Sequence, residues 1–302
     1  VVPWFLHQNG FERVTDSDSQ GWSPLHYACL GGDPKLIQSL LANRADPNRR
    51  TRKDQVQVEM APFASALTIA TALKHHTAVG ILLAARARVD VDLITPPICF
   101  AAMVNNPEGI RLLCQASASL DSANIFGISV LELAATYGAP EAMEEIFVQA
   151  RTRAHNPNLS HALHLGMGMR GGNSEIISRL TSRRADVNYR YTVRSFSLVG
   201  VFISYKTLQQ RFGKVTSTGR LCDGAHGSTP LMAAVKSGEF EGAAALIAAK
   251  ARLDLTNYRG QTAADFAKEN PVPAFILQAL QGDPAECERI SSLALADSFF
   301  EI

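Results

Sequence analysis

The sequence predicts an all-α solenoid of about seven helix–turn–helix repeats, with two insertions and helical caps at its ends. Three observations carry that expectation. Segments opening on Gly21, Gly127, Gly227 and Gly260 share one order of cap residue, short helix, turn and second helix, and the last two begin 33 residues apart. Each segment carries helix-spaced aliphatics that a single unit of this length cannot bury, so neighbouring copies have to stack. A hydrophobic fraction of 46% over 302 residues supplies a substantial core without external staples.

Residues 1–20 read as an N-terminal cap, because Pro3, Trp4, Phe5 and Leu6 bring apolar surface to the open face of the first copy. That copy, GWSPLHYACLGGDPKLIQSLLANRADPN, runs from Gly21 to Asn48. Ser23 is placed to cap a helix and Pro24 to occupy its first position, where the missing N–H costs nothing. Leu25 and Ala28 share one face, and Gly32 ends the helix in the left-handed region. Pro34 then opens a second helix, whose Leu40 and Leu41 have to face neighbours. The same reading applies from Ser65, Pro96, Gly127, Gly227 and Gly260, with Ser129 and Thr229 as further caps and Gly138 and Gly238 as further turn glycines. Between the fourth and sixth copies, His161–Asn188 is a degenerate fifth with two extra residues in its first half. Copies one to five thus span 21–188, interrupted by an insertion at 49–64; copies six and seven span 227–282. Residues 283–302 form a C-terminal cap and tail. The larger insertion, 189–226, places Leu198, Val201, Phe202, Tyr205, Leu208 and Phe212 at helical spacing, which predicts an amphipathic helix over 196–212.

This pattern resembles the ankyrin repeat, whose signature G-x-T-P-L-H-x-A-A-x-x-G followed by L-L-x-x-G-A-D-x-N is most complete at Gly21–Asn48. The resemblance implies a curved stack of helix pairs with hairpin-like loops projecting to one side, used mainly to bind other proteins. The chain departs from the signature after the second helix, where Arg44, Arg86, Ser117, Arg184 and Lys250 replace its usual glycine. Left-handed backbone is expected at Arg44, Arg86, Arg184 and Lys250, at about 1 kcal/mol each for a side chain held there.

Lys plus Arg total 29 against 28 for Asp plus Glu, which lacks the basic excess of a nucleic-acid or acidic-membrane binder. Five scattered cysteines with no CxxC argue against a disulfide framework or zinc knuckle and for a reducing compartment, the cytoplasm first and the nucleus compatible. The longest apolar run, 197–204, falls far short of the roughly 20 residues of a membrane span. The opening Val1 suggests a processed form or an excerpt from a longer protein.

No residue group stands out as catalytic, metal-binding or cofactor-binding. Ser23, His26 and Cys29 combine a hydroxyl, an imidazole and a thiol, but position 26 becomes Thr68, Cys99, Glu132, Met232 and Asp265 in other copies. His26 therefore reads as one local way of bridging helix starts, and Cys29 as a small buried filler. Adjacent His75 and His76 point apart and read as simply exposed. GMGMRGG at 166–172 lacks the strand–turn–helix setting of a dinucleotide site and reads as a loosened or broken helix. The remaining enzyme reading rests on His164 or this Gly-rich copy lining a pocket.

The expected function is a non-catalytic scaffold that binds a protein partner, or else a regulatory or substrate-recruiting module of a longer enzyme or channel. The expected binding residues are apolar side chains where the repeat leaves positions open: Trp22, Phe126, Ile128 and Tyr258 in loops, and Leu30, Leu73, Met103, Val104 and Tyr137 on first helices. The rival is that the insertion helix folds back over them. Arg49, Arg50, Arg52 and Lys53 are expected to add electrostatic steering.

Overall fold

A computed structural model describes residues 1–53, 62–92, 94–168, 172–192, 205, 225–269 and 272–295. It is helical, with no strand among the described residues. Two compact units divide the chain, one comprising Val1–Val130 with Glu141–His155 and the other Leu131–Pro140 with Asn156–Ile302. The predicted helix at 196–212 apart from Tyr205, residues 54–61 of the 49–64 insertion and Cys222 lie outside the described residues.

In the first unit α1 (Val2–Gln8) precedes three helix pairs: α2 (Pro24–Gly31) with α3 (Pro34–Ala42), α4 (Ala66–Ala72) with α5 (His76–Ala84), and α6 (Pro97–Met103) with α7 (Pro107–Gln115). The helices start where side chains can satisfy their free N–H groups. Asp33 accepts from Lys35 and Leu36, Ser65 from Thr68, and Asn106 from Gly109. First helices stack on first helices, α2 on α4 on α6, and second on second, α3 on α5 on α7. Leu25, Leu67 and Ile98 from the first row and Ile37, Leu82 and Leu113 from the second are fully buried, each contributing about 1.5–3 kcal/mol of apolar burial. α1 packs on α3; of the expected apolar cap Leu6 is buried, Phe5 half-buried and Trp4 exposed, and Phe11 is a further buried residue.

The fourth copy divides between the units. Its second helix, α9 (Pro140–Thr152), falls almost wholly in the first; its first, α8 (Val130–Thr136), falls almost wholly in the second. The second unit continues with α10 (Leu159–Gly168), α11 (Ser174–Thr181), α12 (Pro230–Ser237), α13 (Phe240–Ala248), α14 (Ala263–Glu269) and α15 (Ala274–Leu280). Here α10, α12 and α14 form the first-helix row and α11, α13 and α15 the second. The last helix, α16 (Pro284–Leu295), packs on α13 and α15 with Ile290 fully buried.

The turns follow their glycines, and the exceptions are instructive. Gly32, Gly138 and Gly238 have φ of 67°, 63° and 78°, and Lys74 and Asn105 fill the same slot at 59° and 51°. After the second helices, Arg44, Arg86, Ser117, Arg184 and Lys250 all lie between 62° and 69°, joined by Ala154 at 51°. The expected left-handed backbone at the four cationic residues is therefore present.

The fifth copy differs from its expectation. Its helix opens at Leu159, with Asn158 Oδ1 accepting from the His161 N–H at 3.0 Å, so the two extra residues add a turn at the front. It remains α-helical through Gly166 and Gly168 rather than breaking; residues 169–171 lie outside the described set. The glycines serve close packing. A Cβ on Gly166 would stand 3.2 Å from the Ala135 carbonyl oxygen, and one on Gly242 would stand 2.5 Å from the Gly172 carbonyl oxygen.

Candidate partner-binding surface

The slot of His26 bridges to a neighbouring element in three copies. In α2 the buried imidazole accepts the Ser23 N–H at Nδ1 (3.0 Å) and donates from Nε2 to the Arg49 carbonyl (3.1 Å), a pairing that fixes its tautomer. Burial lowers its pKa to about 4. In the next copy Thr68 donates to Asp92, which also accepts from Ser65 at 2.9 Å; burial pushes that carboxyl upward. Glu132 takes the slot in the fourth copy and lies 2.5 Å from His161. Asp265 in the seventh accepts from the Thr262 N–H at 2.9 Å. His26 and Thr68 thus tie a helix start to the following loop and Glu132 reaches the next helix, while Asp265 caps its own helix. Cys29 is fully buried with its thiol pushed up to about 12, a filler rather than a nucleophile.

His75 and His76 are half-buried, not simply exposed. His75 Nε2 donates to the Leu30 carbonyl at 3.2 Å, and His76 Nε2 contacts Asn106 Oδ1 at 2.8 Å while Asn106 Nδ2 donates to the Thr71 carbonyl at 2.9 Å. The two rings point apart, and each ties its own copy to a neighbour. His164 is buried and stacked on Tyr191 with ring centroids 4.7 Å apart, and burial takes its pKa down to about 3. That environment keeps it neutral at physiological pH without exposing it to a substrate.

An open cleft of about 560 Å³ lies beside the N-terminal segment of the first unit. Its polar groups are committed internally. Arg49 donates to the Thr15 and Asp16 carbonyls and to Ser17 Oγ, Asp16 accepts from the Glu12 and Arg13 N–H groups, and Asp18 accepts from Gln20, Trp22 and Tyr27. Among the described residues no group of three or more His, Cys, Asp or Glu side chains is placed to hold a metal ion, and no helix is long and apolar enough to cross a membrane.

The predicted contact residues separate into three groups. Trp22 is a correction: it is fully buried, with its ring 5.7 Å from that of Tyr27 and 5.8 Å from that of His26. Its exposure is lost because residues 11–18 fold over it, Asp18 exchanging hydrogen bonds with its backbone and Phe11 packing on Tyr27 at 5.7 Å. Leu30, Met103, Val104 and Ile128 are half-buried. Leu73, Phe126, Tyr137 and Tyr258 are 40%, 54%, 50% and 61% exposed.

Phe63 at 40%, Ile125 at 46% and Val148 at 50% are exposed apolar side chains that were not anticipated. Ile125 had a legible signal, since it adjoins Phe126 within the turn built on Gly127, where Asn124 Oδ1 accepts from the Phe126 and Ile128 N–H groups at 3.0 Å each. The basic cluster also divides. Arg49 is held as a clamp on the N-terminal segment and Arg50 donates to the Val91 carbonyl at 3.2 Å, so neither is the free steering charge expected; Arg52 and Lys53 are exposed.

Comparison with known proteins agrees with this geometry. Residues 20–52 match the family model described as Ankyrin repeat. The crystal structure of the human ASB11 ankyrin repeat domain superposes with a TM-score of 0.60 at 20% identity, covering 86% of this chain and 97% of that one. No curated protein matches in sequence. The chain thus carries an ankyrin-repeat signature at residues 20–52 and, in its paired helices, the fold of an ankyrin repeat domain.

Proposed function

We propose that this chain is a non-catalytic protein-binding scaffold, and that it captures its partner on loop tips and first-helix ends. The observation carrying this reading is the exposure of large apolar side chains: Leu73 and Phe126 in the first unit, Tyr137 and Tyr258 in the second. Aromatic side chains that stand in solvent on a rigid scaffold supply contact area at low entropic cost, and binding energy concentrates on them. A non-catalytic role is supported by what became of the reactive groups, since His26 and His164 are buried and neutral and the thiols of Cys29 and Cys99 are pushed up to about 12. The free state of Cys29, Cys99, Cys114 and Cys287 supports a reducing compartment, for which the cytoplasm is proposed.

The test is affinity capture by the purified chain beside a Phe126→Ala/Tyr137→Ala variant. Proteins that bind the parent and are lost from the variant, at unchanged thermal midpoint, support the reading. A large loss of stability would make the two rings core residues, and identical captured sets would remove them from the binding surface.

A further inference from the structure

We infer that residues 9–17 form a strap that shuts over the first copy and opens as a unit while the helix pairs stay folded, so that the Arg49 side chain gates access to Trp22. This conformational device goes beyond the protein-binding reading and stands or falls without it.

The strap is fastened to the helix pairs by side chains. Among the described residues its backbone-to-backbone hydrogen bonds run to α1 or stay within it: Asn9 and Gly10 N–H donate to α1 carbonyls, Phe11 N–H to the Leu6 carbonyl at 2.9 Å, and Asp16 N–H to the Arg13 carbonyl at 3.1 Å. Two groups cross to the first copy. Arg49 donates to the Thr15 and Asp16 carbonyls and to Ser17 Oγ at 3.0 Å, and Phe11, the one buried side chain in 9–17, sets its ring 5.7 Å from that of Tyr27. The latch is mounted on fixed ground, because the Arg49 carbonyl accepts from His26 Nε2 at 3.1 Å. The hinge is Asp18. Its N–H donates to the Trp22 carbonyl at 2.9 Å, and its carboxylate accepts from the Gln20 and Trp22 N–H groups at 2.9 and 2.8 Å and from the Tyr27 hydroxyl at 2.8 Å. The turn at 18–22 therefore belongs to the body on which the strap closes.

The closed state is incompletely packed and incompletely satisfied. The open cleft of about 560 Å³ is lined by strap residues together with Asp18 and Arg49, so the strap does not seal dry against its latch. Trp22 is fully buried, its ring 5.7 Å from that of Tyr27, on which Phe11 rests. Yet Trp22 Nε1–H and Gln20 Oε1 are buried with no hydrogen-bond partner among the described residues. An unpaired buried donor penalises the closed state, and opening returns it to solvent. A segment with one buried apolar side chain and no backbone ladder to the core opens at a lower free energy than the core itself. Opened, the first copy presents an indole beside Tyr27 that the closed chain withholds.

The experiment uses Trp22 as its own reporter. The sequence holds two tryptophans, so Trp4→Phe in the full chain leaves Trp22 alone to be read by acrylamide quenching. In that background Arg49→Met, which removes the guanidinium and keeps an apolar stem, is expected to raise the quenching constant roughly threefold or more with the far-UV circular dichroism unchanged. Arg49→Lys is expected to fall between, because a compact ammonium lacks the fork that spans three acceptors. Quenching equal to the parent's in a folded Arg49→Met chain overturns the proposal. If that variant loses its helical signal, the parent decides. Tryptic cleavage of the Arg13–Val14 bond, read by mass spectrometry against a free peptide of the same sequence, is then expected to hold within about twofold as urea rises below the unfolding transition. A rate that climbs in step with global unfolding makes 9–17 part of the core and overturns the strap.

Discussion

His26 in the first unit and His164 in the second stand at the same place in their copies, each directly after the buried leucine of its first helix, yet they end in different states. α2 begins at Pro24, so the Ser23 N–H is a helix-end donor and closes onto His26 Nδ1, while Nε2 reaches the Arg49 carbonyl. α10 begins earlier, at Leu159, and Asn158 takes the end N–H instead. His164 is thereby moved into the helix interior, where Nδ1 has no partner among the described residues and Nε2 lies 3.5 Å from Ser228 Oγ. One side chain is a fully satisfied cap and bridge; the other is an aromatic filler stacked on Tyr191. The position of a helix start, rather than the residue or its burial, sets which role an imidazole plays.

Acidification is expected to produce the largest effect and to strike both histidines. Burial holds their folded pKa values at about 4 and about 3, below the 6.5 of the free side chain, so the unfolded chain binds protons first as pH falls. Stability is full above pH 6.5 and declines below it, by about 1.4 kcal/mol per pH unit for each imidazole. Denaturant titrations from pH 7 to 4 should show the decline, and replacing either histidine should remove its share. A flat profile would mean that neither ring is desolvated as described.

Substitution then separates the pair. His26→Ala leaves the Ser23 N–H and Arg49 carbonyl unpaired beside a cavity and should cost about 3 kcal/mol. His164→Leu removes an orphaned nitrogen from an apolar stack and should stay within about 1 kcal/mol of the parent, read from urea midpoints. An equal loss for both would show that the Tyr191 stack holds the second unit as firmly as the cap holds the first.

A glycine pair gives a smaller contrast. Gly166→Ala drives a methyl toward the Ala135 carbonyl at 3.2 Å and should cost about 1–2 kcal/mol. Gly80→Ala, on α5 with nothing within 4 Å, should gain about 0.5–1 kcal/mol from helix propensity. Smallest of all, Arg86→Gly relieves a φ of 63° and should raise the thermal midpoint by a stabilisation of at most about 1 kcal/mol, part of it lost to the freer unfolded chain.

The architecture was legible because each of its signals is local. Ser23, Pro24, Gly32 and Pro34 report caps, starts and turns within a few residues, and their recurrence at Gly127 and Gly227 makes the pattern a repeat. Even the left-handed arginines followed from knowing which slot normally holds glycine. Exposure was less legible, since it depends on chain distant in sequence. Trp22 and Phe126 flank equivalent glycines, but the segment around Phe11 and Asp18 folds over one and nothing described covers the other. His75, His76, Arg49 and Arg50 read as solvated charge because their partners, carbonyl oxygens and an asparagine in neighbouring elements, leave no mark in local composition.

The left-handed side chains after the second helices also bear on cooperativity. Arg44, Arg86, Ser117, Ala154, Arg184 and Lys250 place a backbone penalty of about 1 kcal/mol inside individual copies, where glycine would place little. In a nearest-neighbour description, that lowers the intrinsic stability of each copy and leaves the interfaces to carry a larger share of the whole. A copy whose neighbour has melted is then less able to persist alone. Losing an end copy should therefore destabilise the adjoining one more sharply than in a glycine-turned array of equal total stability.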